Sequence, residues 1–172
     1  ELLDGAITEP YLFEGVKGSP RQLEYRNKME FSFGDEEKDG PLALGMHKRG
    51  SFYDIVTADK CQIVDEDFRK ILCCVLEHFK KKELPFYHRL RHTGYLRHLL
   101  VRKAANTGEF LGDLITTTQR LGVDCGDYRA LAADESWAEE LRALSLEGEI
   151  VGILHTYNDS LADVVQNDRT EL

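Results

Sequence analysis

Long hydrophobic runs are missing from this chain of 172 residues: none approaches the roughly 18 apolar residues that a membrane-crossing helix needs. A secretory leader is missing too, because Glu1-Leu2-Leu3-Asp4 opens without a basic start or an apolar stretch behind it. There is no initiator Met, so the simplest expectation is a domain excised from a longer protein. Cysteine is sparse. Cys61, Cys73, Cys74 and Cys125 never fall in the CxxC spacing of a zinc or redox pair, which fits reduced thiols in a cytoplasmic chain. No glycine-rich turn joins a strand pattern to a helix pattern, so no Rossmann-type nucleotide or SAM site is expected here. The nearest approach, Gly122-Val123-Asp124-Cys125-Gly126, follows no parallel strand. Internal repeats and low-complexity segments are also absent.

The charge is plentiful and uneven. The formal net charge is −9, which on its own argues against a nucleic-acid partner. Between residues 69 and 103, however, ten Lys or Arg face two Glu, with four of the six histidines in the same window. Residues 124–172 carry twelve acidic side chains against three Arg. The global value therefore hides a basic segment able to face phosphate.

The length suits one domain with a buried core. Tyr25, Asn27, Met29, Phe31 and Phe33 alternate with Arg26, Lys28, Glu30 and Ser32, the period of a half-buried strand. After the charged, glycine-bearing stretch 34–41, Leu42, Leu44 and Met46 resume the alternation against Ala43, Gly45 and His47. Gly50-Ser51 turns the chain into a third strand over 52–57, with Tyr53 and Ile55 on one face. This is a meander. Asp65 is placed to cap a helix, Glu66 and Asp67 suit its first turn, and Phe68, Ile71, Leu72, Val75, Leu76 and Phe79 repeat at helical spacing. Lys80, Lys81 and Lys82 suit its end, and Pro85 stops it. Asn106-Thr107-Gly108 is hairpin chemistry between strands at 95–105 and 109–118. The first of these strands is apolar on both faces and so central in a sheet, whereas Gly112 and Asp113 interrupt the second. A second helix is expected from Asp134 or Glu135 to Leu144, with Trp137, Leu141 and Leu144 on its stripe. Another strand follows over 150–157, and the polar remainder 160–172 is expected to lead out of the domain as a strand. The order favours hairpin pairing over parallel crossovers. The expected class is α+β, a mostly antiparallel sheet of meander and hairpins covered by about two helices.

Tyr25-Arg26-Asn27-Lys28, Leu44-Gly45-Met46-His47-Lys48, Gly50-Ser51, Asp54-Ile55-Val56 and Cys61-Gln62-Ile63 follow one another in an order that carries a resemblance. Leu96-Arg97-His98-Leu99, Thr107-Gly108-Glu109 and His155-Thr156-Tyr157-Asn158 continue it over nearly the whole chain. Together they resemble the central domain of SAM-dependent RNA uracil-5 methyltransferases, which make 5-methyluridine in ribosomal or transfer RNA. The resemblance implies residues 1–24 as a lead-in from an upstream region, 25–160 as a central α+β domain and 161–172 as a lead-out toward a SAM-binding catalytic domain. It also implies that the nucleophilic cysteine and the base both lie in that catalytic domain. This chain would then hold no catalytic residue, bind no SAM and be inactive alone, with ribosomal RNA (or tRNA) as partner and neither DNA nor membrane. In many relatives a 4Fe-4S cluster is held by three upstream cysteines and one that matches Cys61. In this chain Cys61 is expected to be a free thiol.

The residues themselves offer several chemistries. Cys74 and His78, four apart on one helix face, suggest a thiol nucleophile and base, although Ile71, Leu72 and Val75 around them suggest burial instead. His88, His92 and His98 suggest a metal, but Arg89, Arg91 and Arg97 between them oppose a further cation. Arg26, Lys28, His47, Lys48, Arg49, Arg97 and Arg102 are the candidate RNA contacts. Tyr25, Phe86, Tyr87 and Tyr95 are candidate platforms for unpaired bases. Two further readings stay open: a stand-alone module that binds RNA or a protein, and a small hydrolase using Cys74 and His78.

Overall fold

The computed structural model describes residues 3–119, 136–161 and 169–172. The loop at 122–126, Cys125 and the expected helix start at Asp134 or Glu135 lie outside them. The described residues form strands β1 (Lys28–Asp35), β2 (Leu42–His47), β3 (Ile55–Thr57), β4 (Leu96–Lys103), β5 (Glu109–Thr116), β6 (Glu149–Tyr157) and β7 (Arg169–Glu171), with helices α1 (Glu66–Lys82) and α2 (Ser136–Arg142). One sheet runs in the order β3-β2-β1-β4-β5-β6-β7. The α+β class, mostly antiparallel with helices on the sheet, is therefore as the sequence suggests. None of the described helices is long and apolar enough to cross a membrane.

The alternation in β1 sends Met29, Phe31 and Phe33 into the core. Cross-strand partners share a face, and Met29 lies opposite Val101 and Phe31 opposite Leu99, so β4 adds its own apolar side chains to the same layer. The stripe of α1, from Phe68 to Phe79, packs onto that layer, and Trp137, Ala138 and Leu141 of α2 complete the cluster. Each large side chain so buried contributes about 1.5–3 kcal/mol, enough to hold both helices on the sheet. Asp65 caps α1 by accepting from Phe68 N at 3.3 Å. β4 is the central strand, as its two apolar faces indicate.

Three expectations are corrected. β5 and β6 pair in parallel, so the chain makes a crossover between them rather than another hairpin. β3 begins at Ile55, which leaves Tyr53 largely exposed while Ile55 is buried. β5 runs unbroken through Gly112 and Asp113, because Asp113 accepts a hydrogen bond from Thr156 Oγ1 of β6 at 3.0 Å. In the stretch 161–172, β7 pairs antiparallel with β6 and closes the sheet edge.

The start of β6 is clamped from both sides. Asp67, only 2% exposed, accepts from Glu147 N at 3.0 Å and from Gly148 N at 2.9 Å. Gly148 fits because a Cβ there would lie 2.1 Å from Gly108 O and 2.8 Å from the Phe110 ring. Lys103 of β4 reaches Asp65 at 2.6 Å and Asp67 at 4.0 Å. Asp67→Ala leaves buried N–H groups without an acceptor, and its expected cost is about 3 kcal/mol in urea unfolding. Asp65→Ala, which loses a cap and a part-buried ion pair while Lys103 keeps Asp67 nearby, is expected to cost about 1–2 kcal/mol.

Candidate nucleic-acid interface

Residues of β1 that point away from the helices include Lys28 and Glu30, both exposed. The register sets Lys28 directly opposite Arg102, which is exposed as well. Neither has an ion-pair partner among the described residues. Like charges directly opposed on a sheet repel, at a cost of order 0.2–1 kcal/mol, so this pair opposes folding and favours an anion. Arg26 is exposed just ahead of β1, its Nε donating to Lys28 O at 3.2 Å. Arg26, Lys28 and Arg102 thus form one basic patch at the N-terminal end of β1.

His47, Lys48 and Arg49 are exposed at the β2–β3 turn. Lys48 N donates to Asp54 O at 2.8 Å, and Ser51 Oγ accepts from Tyr53 N and Asp54 N at 3.2 Å each. His47 Nε2 lies 2.7 Å from Arg89 Nη2, whose Nη1 donates to Phe52 O at 3.3 Å. This tie docks residues 86–89 onto the turn. The sequence pattern alone gave no sign of it.

Arg97 is a correction. It is only 3% exposed, and its Nη1 donates to Asn158 O at 2.8 Å and Ser160 O at 2.6 Å while the guanidinium sits 4.4 Å from the centre of the Tyr87 ring. The ladder shifts register between Leu96 and His98, which takes Arg97 out of simple alternation. It fastens β4 to the end of β6 and does not face solvent phosphate. The apolar run around it, Tyr95-Leu96 and Leu99-Leu100, was the available signal.

The histidines disperse. His98 is buried with Nδ1 3.3 Å from Ser32 Oγ, His92 Nδ1 lies 3.3 Å from Tyr87 OH, and His88 Nδ1 accepts from Arg91 N at 3.4 Å. Among the described residues no three His, Cys, Asp or Glu are grouped to hold a metal. Cys61 packs half-buried against the core, with its carbonyl accepting from Arg69 Nη1 at 3.1 Å. Since a 4Fe-4S cluster takes about four thiolates, the described residues supply one ligand and do not fit the group by themselves. On α1, His78 Nδ1 lies 3.1 Å from Glu140 Oε1 of α2. Burial, and then the Glu140 charge, push the Cys74 thiol up from its ordinary value, which disfavours the thiolate a nucleophile needs.

Of the aromatic candidates, Tyr25 is exposed and Phe86 half-buried, while Tyr87 and Tyr95 are buried. At the β6 end of the sheet, His155 Nε2 lies 2.8 Å from Thr116 Oγ1, and burial pulls its pKa down to about 4 against a smaller opposing effect of Glu171.

No family model matches the chain. It is 46% identical over 172 residues to an "Uncharacterized RNA methyltransferase" of Clostridium tetani, covering 100% of this chain and 36% of that protein. A protein of the same description from Clostridium acetobutylicum is 50% identical over 169 residues, 98% of this chain and 35% of that protein. The chain thus spans about a third of the length of the relatives it matches. Among solved structures, Pyrococcus abyssi tRNA (uracil-54, C5)-methyltransferase in complex with S-adenosyl-L-homocysteine superposes with a TM-score of 0.62 at 18% identity, over 91% of this chain and 33% of that one, a likeness of fold. This chain is homologous to one segment of bacterial RNA methyltransferases.

Two outcomes follow for stability. Arg97→Ala is expected to cost about 2–3 kcal/mol in chemical unfolding, whereas exposed Arg102→Ala changes it by less than about 0.5 kcal/mol. His155 has a folded pKa below its unfolded value, so its contribution is complete above pH 6.5 and is lost as pH falls toward about 4. Stability should fall by about 2 kcal/mol between about pH 7 and about pH 5, and His155→Gln should flatten that fall.

Proposed function

We propose that the chain is the substrate-side domain of an RNA uracil-5 methyltransferase and that its work is to hold RNA in place. The carrying observation is the opposed Lys28 and Arg102, two exposed cations without ion-pair partners among the described residues, with Arg26 beside them. Cations held close on a rigid sheet, at an energetic cost to the fold, suit successive phosphates of a single strand. The homology to RNA methyltransferases supports this reading.

In the reaction we assign to the whole protein, a cysteine thiolate adds to C6 of uracil and makes C5 nucleophilic. C5 would take the methyl group of SAM, which leaves as S-adenosyl-L-homocysteine, and a base would then remove the C5 proton while the C6–sulphur bond breaks and returns the cysteine thiolate. We assign SAM, nucleophile and base to parts of the protein outside this chain, as the sequence resemblance implies, and among the described residues burial disfavours the Cys74 thiolate. The domain's contribution is geometric, holding a splayed loop so that the target uridine reaches the reacting groups. Ribosomal RNA in the cytoplasm is the substrate we assign. For the 4Fe-4S cluster that the sequence resemblance implies, Cys61 would offer one thiolate, and no step of this reading depends on it.

Fluorescence anisotropy of a labelled single-stranded RNA, repeated over a range of salt, tests the proposal. Replacing Lys28 and Arg102 together by Ala is expected to flatten the slope of log K against log salt by about 1.4, near 0.7 for each phosphate released. An unchanged slope would remove both residues from the interface.

A further inference from the structure

Beyond the basic patch, the β2–β3 turn and residues 86–89 border a shallow, open-mouthed cleft of about 50 Å³, lined among others by Asp35, His47, Tyr53, Phe86, His88 and Arg89. The lining is unlike that of a structural groove. Phe86 and His88 present rings within 20° of parallel, their centres 6.4 Å apart, and Tyr53 stands 53% exposed at the turn. Arg89 is aimed by His47 and by Phe52 O, and Asp35 uses Oδ2 to accept from Asp39 N at 3.0 Å.

The aromatic wall is fixed before any ligand arrives. Tyr87 N donates to Leu96 O and His88 N to Thr93 O, each at 2.7 Å. Gly94 makes this close approach possible, with φ of +129° and a position where a Cβ would lie 2.0 Å from Phe86 O. The Arg97 guanidinium over the Tyr87 ring secures the segment from the interior side. Rings held in this way bind without an ordering cost.

The mixture of groups selects the ligand. A bare anion would meet the Asp35 carboxylate, and a wholly apolar ligand would bury Arg89 and Asp35 against nothing polar. A planar ring with both N–H and C=O edges suits all of them. We propose that this cleft seats one unpaired nucleobase of the RNA, stacked on Phe86 and His88, with Asp35 accepting from a base N–H and Arg89 facing a base carbonyl. The proposal rests on the RNA-holding reading and adds to it a base-binding site separate from the Lys28–Arg102 pair.

Two RNA strands test it on the 172-residue chain, one with a single 2-aminopurine and one with an abasic residue at the same place. The 2-aminopurine strand should bind about tenfold tighter than the abasic strand and change fluorescence on binding. His88→Ala and Tyr53→Ala should each remove most of that advantage and of the fluorescence change. They should leave the salt slope and the abasic affinity as in the unaltered chain. Tyr53 is exposed, so its variant keeps the fold, and thermal melting of both variants checks this. Equal binding of the two strands with no fluorescence change, while Lys28→Ala with Arg102→Ala still flattens the salt slope, would overturn the base site and leave the phosphate contacts standing. Failure of the unaltered chain to bind either strand at low salt would overturn both.

Discussion

The Asp67 carboxylate holds the architecture together. It sits at the N-terminal end of α1, where the helix dipole favours a negative charge, and it is shut away from water. A buried charge is tolerable only when its oxygens are satisfied, and here two backbone N–H groups at residues 147 and 148 satisfy them with the Lys103 ammonium nearby. Those contacts join three elements remote in sequence: α1, the end of β4 and the start of β6. Because β6 must return parallel to β5 after a long crossover, its entry point has to be pinned, and Asp67 with Gly148 against Gly108 does so. The register of β5 with β6 follows from that point.

Once the sheet is set, its two faces take different work. The face under α1 and α2 is filled with Met29, Phe31, Leu99, Val101 and their neighbours and supplies the stability. The other face carries Lys28 opposite Arg102, an arrangement that lowers stability and raises the local potential. The curled β2–β3 turn adds Lys48 and Arg49, and residues 86–89 bring Arg89 against His47. A chain with net charge −9 thus presents concentrated positive charge on rigid strands and turns. The acidic surplus lies in the C-terminal part of the sequence, which explains how a chain acidic overall can offer phosphate a favourable surface.

What could be read in advance was local. α1 was legible because its cap, its first-turn acids, its apolar stripe and its terminal lysines are all written in neighbouring residues. The central place of β4 followed from apolar residues on both of its faces. The parallel pairing of β6 was not legible, since parallel and antiparallel partners leave the same alternation and only the crossover distinguishes them. Arg97 misled for a related reason: beside His98, Arg102 and Lys103 it resembles one more surface cation. A register shift in the ladder and carbonyls from residues 158 and 160, both non-local, take it inside. The individual cations of the candidate interface were legible, but the opposition of Lys28 and Arg102 depends on the pairing of β1 with β4.

The most direct test of the RNA-facing surface is a titration of isotopically labelled chain with a short single-stranded RNA, followed residue by residue through backbone amide NMR shifts. The account predicts that the largest changes fall at residues 26–30, 47–49, 86–89 and 100–103, with α1 and the Asp67 clamp unmoved. Changes confined to α2 and β7, or none at concentrations where the RNA binds, would contradict it.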